Sequence, residues 1–323
     1  MALVVIADCG YEDIDVERQL IEGAGHELRY YHCKTEDDVI ECASEADVLI
    51  VQFAPVTRRV IENLHKCKLI CRYAIGVDII DIEAATEHEI FVANVPDYCI
   101  DEVSNHAIAL LMSLARKIPL ISNSVKEGKW DYTVAKPLHR MLGSKLGIIG
   151  YGRIGSLVAR KLNNFGMDVI TCDPWIRAEI SQQDRVRKVD MDTLLSTSDF
   201  ISIHVPLTKD TRHLLSDEQF GKMKKGVTIV NTSRGAVIDE KALIRALENG
   251  IVSGAALDVM EKEPLSLDSP LRKMQNVILT PHFAWYSDES IKLLQRSVAE
   301  EALRVLSGEL PKNLVNSGIL RVK

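Results

Sequence analysis

The sequence has no long apolar run, and this absence excludes the simplest membrane architecture. The longest nearly uninterrupted apolar stretch covers residues 107–115, whereas a membrane-spanning helix needs about 20 such residues. The amino terminus lacks a basic flank and reaches an acid at Asp8, which predicts a first strand and not a signal peptide. We therefore expect a cytoplasmic protein with no membrane association.

Paired cysteine motifs are also missing. Seven cysteines stand at irregular spacing, and no CxxC pair occurs, so we expect buried, reduced thiols and no disulfide framework. Cys67, Cys71 and His65 would form a metal site only if their side chains converged. Residues 69–73 are predicted to be a strand, along which side chains diverge, so no metal is expected.

An excess of basic charge is absent as well. The chain has 39 Lys and Arg against 46 Asp and Glu, a net charge of -7, and this balance argues against a nucleic-acid partner. A composition of 46% hydrophobic and 26% charged residues also excludes disordered, fibrous and coiled-coil classes. A length of 323 residues is long for one core and suits two domains.

Short apolar runs alternate with helical patterns along the whole chain. Several runs are apolar at consecutive positions, as in strands that helices cover on both faces, and their alternation with helices predicts parallel sheets. Ten strands are too many for one small sheet and indicate two α/β domains. The predicted strands are residues 3–7, 48–51, 69–73, 91–94, 146–149, 168–172, 200–204, 228–231, 255–258 and 277–280.

Two long helical patterns, at residues 101–117 and 288–306, flank the second strand–helix series. This arrangement predicts that one domain is inserted in the other, with residues 1–98 and 285–323 forming the first and 99–284 the second. The polar segment 122–144 is predicted to be irregular and has no clear place in either core.

A glycine-rich turn follows one predicted strand and opens a helical pattern. The first glycine permits the turn, the second lets a pyrophosphate approach, and the third packs helix on strand. Such a helix amino terminus favours phosphate, so we expect a dinucleotide site. The run consists of Gly150, Tyr151, Gly152, Arg153, Ile154 and Gly155.

Asp173 lies 18 residues after the last glycine, where an acid hydrogen-bonds the adenosine ribose. Its charge would repel the 2′-phosphate of NADP, so NAD(H) is the expected cofactor. Arg177 lies nearby, and its positive charge could offset the repulsion of the 2′-phosphate. NADP is therefore not excluded as the cofactor.

Three further motifs, residues 231–235, 256–264 and 279–282, stand at strand ends, where open α/β sheets bind ligands. Arg234 can clamp a substrate carboxylate and carbonyl through two parallel hydrogen bonds. His282 suits general acid–base work, and Glu263 beside it would favour the imidazolium and fix the ring.

Together with Gly76-Val-Asp78, residues 204–208 and the interrupted layout, these motifs resemble the D-isomer-specific 2-hydroxyacid dehydrogenases along nearly the whole chain. The resemblance implies two doubly wound parallel-sheet domains, a Rossmann NAD-binding domain inserted in a flavodoxin-like substrate domain. It implies NAD-dependent interconversion of a small 2-oxo acid and a D-2-hydroxy acid, with His282 as acid/base, Glu263 assisting and Arg234 clamping the substrate. It also implies a homodimer whose interface is formed by the long helix 101–117 and segment 122–144.

The resemblance supplies the remaining ligand contacts. Asp258 would bind the nicotinamide carboxamide, backbone N–H groups around Ile75 and Gly76 the substrate carboxylate, and Arg72 would be a second cation. Ile75 and Ile79 depart from the common family pattern and leave the substrate open. The implied cofactor lining also includes His204, Val205, Pro206, Thr208, Thr232, Ser233 and His282.

Residues 281–287 are most similar to the C-terminal-binding-protein branch, whose members are dehydrogenase-like corepressors. An NAD(H)-sensing binding protein with little turnover is therefore the alternative. A formate or phosphite oxidoreductase is disfavoured because its additional site residues are not found. Trp285 is expected to line the substrate pocket and favour apolar or thioether 2-oxo acids over phosphorylated ones; the other interpretation is that it packs between domains.

Overall fold

The protein is described from a computed structural model, which covers residues 1–176 and 184–321. Strands and helices alternate along these ranges. The strands are β1 Leu3–Ile6, β2 Glu27–Tyr30, β3 Val48–Val51, β4 Leu69–Arg72, β5 Phe91–Ala93, β6 Lys145–Ile149, β7 Asp168–Cys172, β8 Arg187–Lys188, β9 Phe200–Ile203, β10 Val227–Asn231, β11 Val252–Leu257 and β12 Val277–Leu279. The helices are α1 Asp15–Gly23, α2 Glu36–Ala43, α3 Arg58–Ile61, α4 Ile82–Glu87, α5 Ile100–Ala115, α6 Ile118–Lys126, α7 Arg153–Asn163, α8 Met191–Thr197, α9 Asp217–Lys222, α10 Glu240–Glu248 and α11 Asp288–Leu306.

The chain divides into two compact units, one formed by Met1–Tyr98 with Ser287–Lys323 and the other by Cys99–Tyr286. The chain therefore leaves the first unit and returns to it. In the first unit α11 packs against α1 and β4. The chain returns to the first unit between residues 286 and 287, two residues after the boundary expected from the sequence.

The first unit contains a five-stranded parallel sheet in the order β2-β1-β3-β4-β5. Its inner strands are apolar at consecutive positions, and every residue of β3 and β4 is buried, as expected when helices cover both faces. This strand order is that of a flavodoxin-like doubly wound sheet.

The second unit contains a seven-stranded parallel sheet in the order β12-β11-β10-β9-β6-β7-β8. The strand order reverses between β6 and β9, and ligands bind beyond the carboxyl ends of the strands at such a reversal. The predicted α/β class with two doubly wound parallel sheets is confirmed. The loops after β6 and β9 contain Gly150–Gly155 and residues 204–208, so two predicted cofactor segments share this edge.

Two strands were not predicted, and both lie at sheet edges. β2 has the sequence Glu-Leu-Arg-Tyr with one buried residue, Leu28, and β8 consists of two exposed basic residues. Edge strands bury little surface, so the apolar runs used for prediction are missing there.

Segment 122–144 is not irregular throughout, as the sequence had indicated. α5 ends after Ala115, Lys117 adopts a left-handed conformation (φ +52°), and α6 continues the chain to Lys126. A short 3-10 helix, Tyr132–Ala135, follows. Among residues 1–176 and 184–321, no single helix meets the length and apolarity that a membrane crossing requires; α5 and α6 meet it only as a pair bent by 61°.

All seven cysteines are free, but they are not all buried as expected. Cys9, Cys42 and Cys172 are partly exposed. Cys33 and Cys42 lie close together, with 3.3 Å between their sulfur atoms.

Candidate functional site

The glycine-rich turn connects β6 to α7, and each glycine meets a different constraint. Gly150 has φ +90°, and a Cβ on it would lie 2.6 Å from the His204 carbonyl oxygen. A Cβ on Gly155 would lie 2.1 Å from the Gly150 carbonyl oxygen. A Cβ on Gly152 would meet nothing within 4 Å, so this residue leaves the approach to the helix amino terminus open. This geometry suits a dinucleotide pyrophosphate.

Asp173 follows β7 and binds the same turn. One carboxylate oxygen accepts the Tyr151 N–H at 2.7 Å and the other accepts the Trp175 N–H at 2.8 Å. A carboxylate has about four acceptor positions, so these bonds orient the group and leave it able to accept from ribose hydroxyls. Arg177 lies outside the described residues.

Tyr151, Arg153 and Ile154 take part in the turn in different ways. The Tyr151 ring is buried and its hydroxyl donates to Asp184 at 2.8 Å, so this side chain supports the loop from within the protein. Arg153 and Ile154 lie in the first turn of α7, the position at which helix N–H groups face a bound anion.

His204 follows β9 and is not suited to acid–base work. Its Nε2 lies 2.8 Å from the Ser202 hydroxyl, and burial lowers its pKa to about 4. The imidazole is therefore neutral at physiological pH. This agrees with a place in the cofactor lining, where Val205, Pro206 and Thr208 follow along the same loop.

The loop after β10 contains a buried hydroxyl that suits a bound ligand. Thr232 Oγ1 is buried and makes no hydrogen bond to the described residues. The neighbouring Ser233 hydroxyl donates to the Asn231 side chain at 2.8 Å. Buried polar groups are nearly always paired, so the Thr232 hydroxyl fits a site whose partner is a ligand such as a dinucleotide.

His282 lies in the loop after β12, and Glu263 lies in the loop after the neighbouring strand β11. The two side chains form a direct pair. The distance from His282 Nδ1 to Glu263 Oε2 is 2.8 Å, and the other oxygen of Glu263 accepts the Met260 N–H at 3.0 Å. Because Nδ1 faces the carboxylate, Nε2 remains to exchange a proton with a substrate. Both side chains are partly exposed, 43% for His282 and 40% for Glu263.

The charges around Glu263 hold it ionised. Burial by itself would raise its pKa, but the hydrogen bond and charge of His282, the Met260 N–H and the charge of Arg234 together lower it. The structure thus brings Arg234, Glu263 and His282 into one electrostatic group. The Arg234 guanidinium donates to the Ser233 carbonyl at 2.8 Å, which anchors it to the end of β10.

Close backbone packing fixes the strand ends that contain these residues. A Cβ on Gly235 would lie 1.9 Å from the Met260 carbonyl, so only glycine fits after Arg234. His282 has φ +53°, a left-handed conformation that is unfavourable for most residues by roughly 1–2 kcal/mol. Its N–H donates to the Asp258 carbonyl at 2.7 Å, which helps to hold the turn.

Trp285 lies in an aromatic group that follows the histidine. It contacts Tyr286 edge to face with ring centroids 5.8 Å apart, and Tyr286 stacks on Phe283 at 5.4 Å. Trp285 is partly exposed within its own unit.

In the first unit, Arg72 is buried beneath the loop that contains Ile75 and Gly76. Its guanidinium donates to the Gly76 carbonyl at 2.8 Å and to the Gln52 carbonyl at 3.3 Å. The Ile75 carbonyl accepts from the Asn94 side chain at 2.6 Å. Arg72 therefore braces this loop, a function that the sequence did not indicate.

Comparison with known proteins agrees with this geometry. Residues 108–284 match the family model described as the NAD-binding domain of D-isomer-specific 2-hydroxyacid dehydrogenases. The chain belongs to this family, and its second unit contains the NAD-binding domain.

Three relatives illustrate the range of similar proteins. The chain is 42% identical to D-3-phosphoglycerate dehydrogenase of Methanocaldococcus jannaschii over 98% of its own length, but it spans only 60% of that protein. It is 39% identical to glyoxylate reductase of Korarchaeum cryptofilum, covering 88% of this chain and 87% of the relative. The solved D-lactate dehydrogenase of Aquifex aeolicus, complexed with NAD and lactic acid, has a TM-score of 0.87 and 28% identity, covering 98% of this chain and 99% of that one.

Proposed function

We propose that the protein is an NAD-dependent D-2-hydroxyacid dehydrogenase, which acts as a 2-oxoacid reductase in the reverse direction. The observation that supports this most strongly is the pair of His282 and Glu263, 2.8 Å apart, with Arg234 contributing to the same electrostatic group. This reaction requires an acid–base group, a carboxylate that orients it and a cation that binds an anionic substrate.

In the proposed mechanism Arg234 binds the substrate carboxylate and carbonyl oxygen, which orients and polarises C2. NADH, when bound, supplies the hydride that C2 receives. Nε2 of His282 gives its proton to the developing alkoxide oxygen, and Glu263 keeps the resulting imidazole in register through Nδ1. In the oxidative direction the same nitrogen takes the hydroxyl proton.

The second unit would bind the cofactor and supply Arg234 and His282 for the substrate. The glycine turn would bind the pyrophosphate, and Asp173 would bind the adenosine ribose. The bound cofactor would also give the buried Thr232 hydroxyl a hydrogen-bond partner. Asp258 is 1% exposed, and its carboxylate already accepts from Thr280, Phe283 and Ala284. A contact with the nicotinamide carboxamide would therefore use the one acceptor position that remains. In the first unit the N–H groups near Ile75 and Gly76 would hold the substrate carboxylate, with Arg72 bracing that loop from below.

We propose NAD(H) rather than NADP(H), and a 2-oxo acid with an apolar or thioether side chain. Asp173 supports the first choice because its charge opposes a 2′-phosphate. Trp285 supports the second because an indole offers apolar area and a π face but no positive charge for a phosphate.

The direct experiment follows NADH absorbance with a panel of 2-oxo acids that includes pyruvate, glyoxylate, 4-methylthio-2-oxobutanoate and 3-phosphohydroxypyruvate. His282→Ala should lower kcat roughly 10²- to 10⁴-fold while NADH binding survives. No NADH oxidation with any member of the panel, or full activity of His282→Ala, would refute the proposal.

A homodimer is part of the proposal, with segment 122–144 as the contact between copies. Trp130 is 92% exposed, Tyr132 77% and Leu142 66%, and an apolar stretch of this kind on the surface marks an interaction site. Light scattering at micromolar concentration should give twice the chain mass. Trp130→Ser together with Leu142→Ser should shift the protein toward monomer, and a monomeric wild type would contradict this part.

An NAD(H)-sensing, corepressor-like protein is the second candidate function. The observation that favours it is the aromatic group of Phe283, Trp285 and Tyr286, in which Phe283 and Tyr286 are each 45% exposed. Such a protein should bind NADH tightly and oxidise it with none of the 2-oxo acids. The same absorbance assay therefore separates the two functions.

A further inference from the structure

A buried carboxylate organises the turn that contains His282. Asp258, directly after β11, is 1% exposed. One of its carboxylate oxygens accepts from the Phe283 N–H at 2.8 Å and from the Thr280 hydroxyl at 2.5 Å. The other accepts the Ala284 N–H at 3.0 Å. Asp258 therefore binds the chain on both sides of His282.

His106, on α5, contacts Thr280 and Asp258. Its Nε2 lies 3.1 Å from Thr280 Oγ1 and 3.6 Å from the nearer oxygen of Asp258. Its ring also meets the Phe283 ring edge to face, with centroids 5.7 Å apart. The imidazole side chain is only 17% exposed, so it is held in this position by its surroundings.

The direction of these hydrogen bonds follows from the number of protons. A threonine hydroxyl has one proton, and that of Thr280 goes to the Asp258 carboxylate oxygen. Thr280 Oγ1 must then accept from His106, so His106 carries a proton on Nε2. The order of donation is His106 to Thr280 to Asp258.

This chain of hydrogen bonds ends beside a strained residue of the backbone. His282 has φ +53°, a conformation that persists only where surrounding contacts impose it. Its own N–H donates to the Asp258 backbone carbonyl at 2.7 Å, and the next two N–H groups donate to the Asp258 side chain. A displacement of that carboxylate would release the two N–H groups that follow His282 and move the imidazole.

We infer that His106 is a positioning residue, which acts through Thr280 and Asp258 to hold His282 in its left-handed conformation. The inference rests on the proposed role of His282 in proton transfer. His106 does not touch the substrate in this scheme, and its contribution is to the placement of the His282 ring. Small displacements of a catalytic group are costly, since about 1 Å can reduce a rate about 10²-fold.

Two pairs of variants test the inference. His106→Phe keeps the ring and its contact with Phe283 but has no donor, whereas His106→Gln keeps a donor near the position of Nε2. Thr280→Val removes the hydroxyl with little change of shape, and Thr280→Ser retains it. His88→Phe is the control, because the His88 ring lies in the first unit, where its Nδ1 is 2.9 Å from the Ala84 carbonyl oxygen.

His106→Phe and Thr280→Val should each lower kcat roughly 10- to 100-fold, with little change in KM for the 2-oxo acid. The Gln and Ser variants should stay within about threefold of the wild type, as should His88→Phe. The double variant His106→Phe/Thr280→Val should be no worse than the worse single variant, because both interrupt one chain of hydrogen bonds.

Hydrogen exchange gives a second measurement that needs no turnover. In the full-length protein, the amides of Phe283 and Ala284 should exchange faster in His106→Phe and Thr280→Val, while those of β11 remain as in the wild type. Unchanged exchange in both variants would overturn the inference, as would independent, multiplicative losses of kcat. A wild type without 2-oxoacid reductase activity would refute the proposed function alone, since the exchange measurement would still decide whether His106 holds the turn.

Discussion

Replacing Glu263 by Gln should move the pH dependence of the reaction to lower pH. The carboxylate lies 2.8 Å from His282 Nδ1 and stabilises the imidazolium that donates the proton during reduction. Glutamine keeps the shape and an acceptor oxygen but not the charge. Without that charge the imidazolium that donates the proton is less stable, so the alkaline limb of the reduction rate should move to lower pH. The acid limb of hydroxy-acid oxidation, which needs the neutral imidazole, should move in the same direction.

The geometry also sets the size of this shift. For two unit charges about 4 Å apart, Coulomb's law gives about 1 kcal/mol in water. The exposure of both side chains, 43% and 40%, favours this screened value over one for a protein interior. At 1.36 kcal/mol per pH unit, the expected shift is about 0.5–1 unit.

At low pH, protonation of Glu263 itself removes the charge that stabilises the imidazolium. The pKa of Glu263 is lowered in the folded protein, because the attraction of His282, the Met260 N–H and Arg234 outweighs the effect of burial. The carboxylate's stabilising contribution is therefore fully present above the ordinary pKa of a glutamate and is lost as the pH falls through the lowered value. The carboxylate should therefore still contribute to the stability of the folded wild type in mildly acidic solution.

The assay measures initial rates by NADH absorbance in both directions, across the pH range in which the variants remain folded. Glu261→Gln is the matched control, since it removes the same charge from the same loop but from a carboxylate that pairs with His213 at 2.7 Å. A Glu263→Gln profile that superimposes on the wild type, or on that of Glu261→Gln, would refute the reasoning.

Three further predictions follow from the geometry. Asp173→Asn, which retains one acceptor for the turn, should narrow the preference for NADH over NADPH by about tenfold or more; equal kcat/KM of the wild type with both cofactors would contradict it. Trp285→Ala should lower kcat/KM for a bulky apolar 2-oxo acid roughly 10- to 200-fold and change that for pyruvate much less; a uniform loss, or 3-phosphohydroxypyruvate as the best wild-type substrate, would disprove the pocket assignment. Gly235→Ala should cost about 1–3 kcal/mol in chemical unfolding because its Cβ would meet the Met260 carbonyl, whereas Gly221→Ala, with open space around it, should be neutral or stabilising by up to about 1 kcal/mol.

The sequence predicted the buried framework well because burial leaves a direct signal. Consecutive apolar residues identified β3 and β4, which are buried throughout, and the glycine run identified the turn after β6. Edge strand β2, with one buried residue, left too little apolar pattern to be recognised. Helix α6 has a proline in its first turn and buries only Ser124, so its apolar residues did not mark a separate helix.

Catalytic candidates could be chosen from the sequence because residue type and strand-end position together restrict them. Arg234, Glu263 and His282 come from three segments that a parallel sheet must bring to one edge. Their distances, however, depend on packing between segments that are far apart in the chain. The 2.8 Å contact of His282 with Glu263, for example, joins the loops that follow two different strands.

What the sequence by itself determined was the sheet architecture, the dinucleotide turn and the choice of candidate side chains, since each follows from local pattern and residue chemistry. Only the tertiary structure decided which side chains support the others. His106 is 174 residues from Thr280 in the chain, and the Arg72 guanidinium donates to the Gly76 carbonyl of the loop above it. Hydrogen bonds need correct distance and direction, and folding alone supplies these between residues that have no local relationship.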